Sequence, residues 1–350
     1  MNMKVNIYYS GFKHRAGGAY FHVENIVKGL EELGYNVKII TLDSLPFLIR
    51  YLPHISLKIG NIFNFPFGFL YKQQLIKFFY KILYKNSADI EIFEDIYTYW
   101  KSNKQSIVVL HALWSDNLQA YTITEKQRVQ LEEEEARIIN NIDVNVVTVS
   151  EPYKEFLLSR LKSSLLKNKI NVIELGVDIN KFSIGYNKNK SMIFVGSLEE
   201  RKNIKFLLKV FRKIKSIDNY SLTIIGDGPQ KKDLINYVKK YNIEDIFFLG
   251  RLDYDDVIKE LPKHQYYIHT STKESFSYSL LEAKLSGLIT VAYNGLEVPE
   301  EFIDIKIENF DVDEWVYAIN NFRNQESIFQ SNQFSYQIMT KKTLEGIYKC

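Results

Sequence analysis

The stretch that most clearly indicates the fold is residues 266–283, YYIHTSTKESFSYSLLEA. It opens with a short apolar run, Tyr266–His269, of the kind expected for a strand buried on both faces. A polar loop follows, and the spacing of the later apolar residues predicts a helix over 277–286. A strand, a loop and a helix in this order form the repeating unit of a parallel sheet covered by helices.

The same unit recurs along both halves of the chain, which predicts an α/β protein with two doubly wound sheets. In the first half the strands are predicted at Val5–Ser10, Asn36–Thr41, Asp89–Glu94, Ser106–Leu110, Val144–Ser150 and Asn171–Leu175. In the second half they are predicted at Met192–Gly196, Leu222–Ile225, Ile246–Leu249, Tyr266–His269 and Ile289–Ala292. The helices are predicted at Ala19–Leu33, 203–216, 230–241, 254–261, 277–286 and 312–323.

Two domains are expected from the length of 350 residues, because typical domains have roughly 100–200. The polar, lysine-rich segment 183–190 predicts the linker between an N-terminal domain, 1–182, and a C-terminal domain, 191–331. The last segment, 332–350, is predicted to form a helix that packs back on the first domain. Two such sheets are expected to face a central cleft, where the carboxyl ends of their strands would bind a ligand.

Composition excludes several classes of protein. The 45 Lys and Arg against 42 Asp and Glu leave a net charge of only +3, too little for a dedicated nucleic-acid binder. A single cysteine, Cys350, allows no internal disulfide and favours a reducing compartment. The start of the chain does not resemble a secretory signal, and no run of 18 apolar residues is uninterrupted. We therefore expect a cytoplasmic protein without a membrane span.

The quoted stretch also carries two carboxylates eight residues apart, Glu274 and Glu282. If helical throughout, they would be about 12 Å apart, too far for one acid/base pair, so they would contact different parts of a long ligand. The helix N-terminus between them is suited to phosphate oxygens. The alternative is a helix with a dipole-compensating acid and a second acid on its surface, and the spacing alone does not separate the two interpretations.

Other strand ends offer weaker candidates. Arg201 and Lys202 follow the first strand of the second half, where a solvated basic turn is the simpler interpretation. Gly17 and Gly18 precede a helix and would allow a ligand close to the backbone, or would form a flexible turn. His111 directly follows a strand, a position that slightly favours a site over a structural role. Cys and His do not occur at metal-ligand spacing, so no metal is predicted. The acidic run Glu132–Glu135 predicts a solvated helix face.

Taken together, these elements resemble the GT-B glycosyltransferases, and specifically glycosyltransferase family 4, whose members are retaining and use nucleotide sugars. The resemblance runs nearly end to end and is strongest at Glu274 and Glu282, a Glu-x7-Glu pair. The other segments that carry it are Gly17–Gly18, Gly34 to Ile40, Val149–Glu151, Gly176–Asp178, Val195–Gly196 with Lys202–Asn203, Gly226–Pro229, Phe248–Arg251 and Pro299–Glu300.

The resemblance implies a role for each matching residue. Glu282 would accept hydrogen bonds from the ribose of the donor, and Glu274 would lie against the transferred sugar. Lys202 would neutralise the leaving diphosphate, and His111 would lie near the sugar. The remaining donor-binding residues implied by the match are Gly18, Ser197, Arg201, Arg251, Phe276, Ser277 and Tyr278. No metal ion and no cofactor is implied, because cationic side chains and the helix dipole take the place of a divalent ion in this fold.

Two departures from the family pattern affect the expected chemistry. Ser197 stands where many members have an arginine, which removes one phosphate cation unless Arg201 replaces it. Ser275 and Ser277 stand where glycines are common, which narrows the space around the sugar. A catalytically silent homologue acting as a nucleotide-binding or scaffold subunit is therefore the alternative to an enzyme. A nucleotide-sugar epimerase is disfavoured by the Glu-x7-Glu order.

The expected function is transfer of a hexose-type sugar to a hydroxyl acceptor in the synthesis of a cell-surface polysaccharide or another glycan. Residues 44–88 contain no Asp or Glu and interleave basic with aromatic residues, as membrane-surface segments do. Peripheral docking on the cytoplasmic membrane face, with access to a lipid-linked or membrane-proximal acceptor, is one interpretation. A buried helix pair with a basic outer face is the other. The residues concerned are Arg50, Lys58, Lys72, Lys77, Lys81, Lys85, Phe63, Phe65, Phe67, Phe69, Phe78 and Phe79.

Overall fold

A computed structural model describes residues 2–13, 17–62, 68–116, 124–161, 166–185, 190–322 and 329–348, with the side chains of 59–62 excepted. The chain forms two compact units. The first comprises residues 1–177 and 333–350, and the second comprises residues 178–332. The predicted linker, 183–190, is described in part: its Gly185 belongs to the second unit and donates its amide to the carbonyl of Ser286 at 3.2 Å.

The first unit contains a six-stranded parallel sheet in the order β2-β1-β3-β4-β5-β6. Helices cover both faces, so strands β3 and β4 are almost wholly buried, whereas the edge strand β2 alternates between exposed and half-buried residues along most of its length. The bounds are β1 Lys4–Tyr8, β2 Asn36–Ile40, β3 Ile90–Phe93, β4 Gln105–Leu110, β5 Asn145–Thr148 and β6 Ile170–Val172. The helices are α1 Gly18–Glu32, α2 Phe47–Arg50, α3 Leu52–Ile62, α4 Gly68–Tyr84, α5 Glu125–Asn140, α6 Glu151–Leu161 and, at the end of the chain, α12 Tyr336–Tyr348.

Helix α1 shows how the sequence sets these boundaries. Its buried face is made by Val23, Ile26 and Leu30, which follow the helical repeat and are fully buried. The helix ends before Gly34, whose φ of 84° lies in the left-handed region that favours glycine. The amide of Tyr35 then bonds back to the carbonyl of Leu30 at 3.0 Å, and the chain turns directly into β2.

The second unit contains a second parallel sheet in the order β12-β11-β10-β7-β8-β9. Its strands are β7 Ser191–Val195, β8 Ser221–Ile225, β9 Ile246–Gly250, β10 Tyr266–His269, β11 Ile289–Tyr293 and β12 Ile305–Ile307. Its helices are α7 Ile204–Lys215, α8 Lys231–Lys240, α9 Tyr254–Glu260, α10 Tyr278–Leu285 and α11 Val312–Asn321. The predicted α/β class with two doubly wound sheets is confirmed. The strand β12, only three residues long, was not predicted.

Helix α12 follows the second unit in sequence but lies in the first, where it contacts α1 and β4. Its approach to α1 is close: a Cβ at Gly29 of α1 would lie 2.1 Å from the Thr340 hydroxyl. The Tyr336 hydroxyl donates to Glu32 at 2.5 Å. The sequence predicted that this helix returns to the first domain, and these contacts show which surface it covers.

The prediction of a solvated face at Glu132–Glu135 was wrong for two of the four residues. Glu132 and Glu135 are buried, at 8% and 0% exposure. Glu132 accepts hydrogen bonds from Arg128 and Arg160, and Glu135 accepts from the Tyr97 hydroxyl at 2.7 Å. Helical spacing turns two of four consecutive acids inward, and tertiary partners then make that burial tolerable.

Candidate functional site

The two strands that pair at the centre of the second sheet, β7 and β10, form its topological switch point. From β7 the chain continues to β8 on one side, and from β10 it continues to β11 on the other side. The loops that leave these two strands therefore diverge, and such a divergence is where open α/β sheets bind ligands. Lys202 lies in the loop after β7, and Glu274 lies in the loop after β10.

These two loops are held together by hydrogen bonds to backbone carbonyls. The Thr270 hydroxyl donates to the carbonyl of Lys202 at 2.9 Å, and the amide of Thr272 donates to the carbonyl of Arg201 at 3.0 Å. On the other side, the amide of Glu297 donates to the carbonyl of Glu274 at 3.1 Å. The site is consequently built on fixed backbone rather than on long side chains reaching from a distance.

Glu274 lies at the centre of the resulting cluster. Its Oε1 is 2.5 Å from the ammonium of Lys202, 3.2 Å from Nη1 of Arg201 and 3.3 Å from Nε2 of His269. Both Glu274 and Lys202 are about one-tenth exposed at the side chain. A buried carboxylate with two cations on one oxygen is well compensated, and the cations remain close enough to serve a second anion.

Charge in this cluster is set by competition between burial and neighbours. Burial alone would raise the pKa of Glu274, but Lys202, with His269 and Arg201, holds that pKa well below its ordinary value. Burial lowers the pKa of His269, although Glu274 acts in the opposite direction, so this imidazole is neutral. The Nδ1 of His269 lies 3.3 Å from the Tyr267 hydroxyl. Glu274 is therefore ionised across the physiological range.

Glu282 behaves in the opposite way. It lies on α10, is 6% exposed, and burial raises its pKa to about 8, with the nearby Tyr254 hydroxyl offsetting part of that rise. Because α10 begins only at Tyr278, the segment between the two glutamates is half loop, and the helical separation considered from the sequence does not apply. Unlike Glu274, Glu282 is a carboxyl group that can both donate and accept a hydrogen bond at neutral pH.

The first turn of α10 contains the other residues predicted to hold the donor. Phe276 is buried, and its ring packs edge-on against Phe302 with centroids 5.2 Å apart, so that only its backbone could face a ligand. Ser277 caps the helix with a φ of 67°, in the left-handed region. This is one of the two positions where a serine replaces a glycine of the family pattern. Tyr278, its ring 5.7 Å from that of Phe276, begins the helix.

The structure brings some of the other candidates into the cluster and leaves one apart. The Ser197 hydroxyl donates to Glu199 at 2.8 Å, and Glu199 also accepts from Arg201 at 3.0 Å. Ser197 is therefore linked to the cluster through that acid. Arg251 is exposed directly after β9, an edge strand two places from β7.

In the first unit, the candidates lie at the corresponding strand ends. Gly18 is the exposed first residue of α1, where backbone amides have no partner within the helix. His111 directly follows β4, and its Nε2 lies 2.8 Å from Oε2 of Glu94, the residue that directly follows β3. His22, on the buried side of α1, has its Nε2 3.6 Å from the same oxygen.

Sequence reasoning missed His269, Tyr254, Glu94 and His22. The signal that singled out His111, a polar side chain at the carboxyl end of a buried strand, applies equally to His269 and to Glu94. For Tyr254 and His22 no comparable signal exists, because each reaches its partner from a helix and only the packing of that helix reveals it.

Comparison with known proteins follows the division of the chain. Residues 16–181 match a family model described as Glycosyltransferase Family 4, and residues 177–337 match one described as Glycosyl transferases group 1. An uncharacterised glycosyltransferase of Methanocaldococcus jannaschii is 25% identical over 95% of this chain and 93% of its own. Another, from Haemophilus influenzae, is 24% identical over 56% of each chain, so this match spans about half of that relative.

Solved structures agree on the fold. Sucrose-phosphate synthase from Thermosynechococcus elongatus superposes with a TM-score of 0.70 at 17% identity, covering 99% of this chain and 94% of its own. Anabaena HepE in complex with UDP and glucose superposes with a TM-score of 0.63 at 15% identity, covering 99% and 95%. At these identities the likeness concerns the fold alone.

Proposed function

The chain belongs to the GT-B glycosyltransferases of family 4, and from that premise we propose that it transfers a sugar from a nucleoside diphosphate sugar to a hydroxyl acceptor with retention at the anomeric carbon. The observation that carries this proposal is the cluster at the switch point of the second sheet. Lys202 and Arg201 approach one oxygen of Glu274 beside the N-terminus of α10.

That cluster suits the departure of a diphosphate. Negative charge develops on the leaving group as the bond to the anomeric carbon breaks, and preorganised cations stabilise it without reorganising. Lys202, Arg201 and the first amides of α10 supply that positive potential. Ser197 stands where many family members have an arginine, and we infer that Arg201 provides the second cation in its place. We also infer that side chains, rather than a divalent ion, balance the phosphate charge.

The two glutamates would hold the two ends of the donor. Since the side-chain contacts of Glu274 described above are all made to Oε1, its Oε2 is the atom proposed to accept hydroxyl hydrogens from the sugar as the ring becomes oxocarbenium-like. Glu282, whose pKa of about 8 leaves it mostly protonated at neutral pH, would bind the ribose. A ribose hydroxyl donating to Glu282 favours the carboxylate form, so donor binding should release a proton.

The test is donor hydrolysis. The donor is first identified among the UDP, GDP and ADP sugars as the one that raises the melting temperature of the protein. With that donor and no acceptor, we expect slow release of nucleoside diphosphate. Glu274→Ala and Lys202→Ala should each lower the rate of that release by about 10² or more. Anomeric inversion in the product would contradict retention, and nucleotide binding without turnover with any acceptor would favour the silent homologue.

We also propose that the acceptor is reached at a membrane surface, through a patch on α2, α3 and α4. Exposed apolar side chains concentrate there, among them Phe47, Leu48, Phe78 and Ile82. Exposed lysines 58, 81 and 85 lie in the same segment, which contains no acidic residue. Phe63, Phe65 and Phe67 lie outside the described residues. No described helix has both the length and the hydropathy to cross a bilayer.

This outer face differs from the basic one considered from the sequence, because apolar rings share it with the lysines. An apolar and cationic surface suits anionic lipid, where rings enter the interface and lysines face the headgroups.

We expect the protein to float with vesicles that contain phosphatidylglycerol and not with vesicles of phosphatidylcholine alone. Leu48→Ser, at a side chain 86% exposed, should weaken flotation about tenfold, whereas the control Leu33→Ser, 59% exposed elsewhere, should not. Absence of flotation at low salt would contradict docking.

A further inference from the structure

A second polar cluster lies in the first unit and is formed by His22, Glu94 and His111. They come from three different elements: α1, the residue after β3 and the residue after β4. His22 and Glu94 are 2% and 4% exposed, and His111 is the member that solvent reaches. One ligand atom from each of the three lies within 4.8 Å of the other two.

The hydrogen bonds within this cluster do not satisfy it. His111 contacts Oε2 of Glu94, but Oε1 of Glu94 and both ring nitrogens of His22 are buried and have no hydrogen-bond partner among the described residues. Within the same residues, no Lys or Arg lies within 4.0 Å of Glu94. Burying polar atoms in this way is costly unless a further group joins them.

We propose that His22, Glu94 and His111 bind one divalent transition-metal ion, with Zn²⁺ as the best match. Two imidazoles and one carboxylate are a common zinc ligand set, and a fourth position is then left open. With bonds of about 2.0–2.1 Å, two ligand atoms on a tetrahedral zinc lie about 3.4 Å apart. The Nε2 atoms of His111 and His22 lie 2.8 and 3.6 Å from Oε2 of Glu94, on either side of that value.

The ion would use only Nε2 of His111, leaving Nδ1 for the sugar contact that the family resemblance implies. It would bind the buried carboxyl group of Glu94 and give His22 its missing partner. This inference goes beyond the proposed transfer, because Lys202, Arg201 and Glu274 lie in the other unit and need no metal here. A proton shared by His111 and Glu94 is the alternative, but it leaves His22 without a partner.

Metal binding tests the proposal directly. The full chain without an affinity tag, treated with a chelator, should bind one equivalent of Zn²⁺ in competition with a chromogenic chelator. It should also bind one equivalent of Co²⁺ and develop the visible d–d absorption of a site with fewer than six ligands. We expect Glu94→Gln and His111→Ala to weaken binding at least about 100-fold, beyond the effect typical of residues that only support a ligand.

His264→Gln is the matched control. His264 is a half-buried histidine of the second unit whose ring nitrogens also lack partners among the described residues. It lies 3.4 Å from Glu260, but no third ligand accompanies it within those residues. This variant should bind like wild type. Zn²⁺ should raise the melting temperature of wild type and of His264→Gln, and not that of the isosteric Glu94→Gln. Less than one equivalent in wild type, or undiminished binding by Glu94→Gln and His111→Ala, overturns the site.

Discussion

Glu94 and Glu274 occupy related positions in the two sheets and have opposite surroundings. Glu94 follows β3, which pairs with β1 at the switch point of the first sheet, and Glu274 lies in the loop after β10 at the switch point of the second. Glu274 is held by Lys202 and Arg201. Glu94, whose side chain is more deeply buried, has two histidines.

The difference shows that the same position in a parallel sheet, the switch point, can carry sites with different binding preferences. A carboxylate between cations leaves a positive surrounding suited to phosphate oxygens. A carboxylate beside two imidazole rings offers oxygen and nitrogen ligand atoms, which suit a proton or a metal ion. Topology chooses where the site lies, and the neighbouring side chains choose what it binds.

Removing the cation from the second cluster should have the largest effect. Lys202→Ala deletes the ammonium nearest to Glu274, and with it the charge that would stabilise the leaving diphosphate. We expect kcat to fall by about 10²–10³, measured as nucleoside diphosphate release at saturating donor. Lys205→Ala, which removes an exposed lysine three residues later, should leave kcat unchanged. An equal fall in kcat in both variants would mean that Lys202 acts only through the overall positive charge, and not through its position beside Glu274.

Replacing Glu274 and Glu94 in turn by glutamine should lower the free energy of unfolding by different amounts. Glu274→Gln leaves Lys202 buried beside an uncharged amide, and a buried ion left unpaired costs about 3 kcal/mol. Glu94→Gln, in chelator-treated protein, leaves no cation stranded, so we expect a loss of less than about 1 kcal/mol. Urea unfolding followed by circular dichroism measures both. A larger loss in Glu94→Gln would reverse the comparison.

Glu135 shows what happens to a buried carboxyl group that has hydrogen-bond donors but, among the described residues, no ion-pair partner. Burial raises its pKa to about 7, although Ser115 and Tyr97 donate to it. Because the folded pKa is above the ordinary value of 4.5, its stabilising contribution is complete below that value and is lost as pH rises through 7.

We therefore expect Glu135→Gln to gain stability relative to wild type, by about 3 kcal/mol in the free energy of unfolding, as pH rises between those two values. Denaturant titrations at several pH values provide the measurement. Glu133→Gln, at the exposed neighbour on the same helix, is the control measured over the same pH range. A flat difference for Glu135→Gln would mean that this carboxyl group is ionised throughout.

The smallest effect concerns the loop that carries Glu274. Ser277 has a φ of 67°, a conformation that costs a residue with a Cβ about 1 kcal/mol relative to glycine. Ser277→Gly should raise the free energy of unfolding by about that amount, and Ser279→Gly, inside α10, should lower it by about 0.5–1 kcal/mol. Thermal unfolding compares the pair. The same sign for both would mean that the loop is not strained at this position.

Much of this architecture could be read from periodicity, because buried parallel strands and amphipathic helices leave strong patterns. The strand Tyr266–His269 begins and ends where the pattern predicts. The three-residue β12 escaped because it is too short to carry a pattern. The burial of Glu132 and Glu135 was not predicted, because four consecutive acids indicate a solvated face whichever of them the neighbouring elements cover.

For the site, Glu274 and Glu282 stood out because they lie in one strand–loop–helix unit, whereas Lys202, in the loop of another strand, was selected only through the family resemblance. The sequence could not show that Arg201 and His269 share an oxygen of Glu274, or that His22, Glu94 and His111 meet. Those contacts join elements that are distant along the chain. Only the pairing of strands and the packing of helices, which depend on the whole core, bring such side chains within reach of one another.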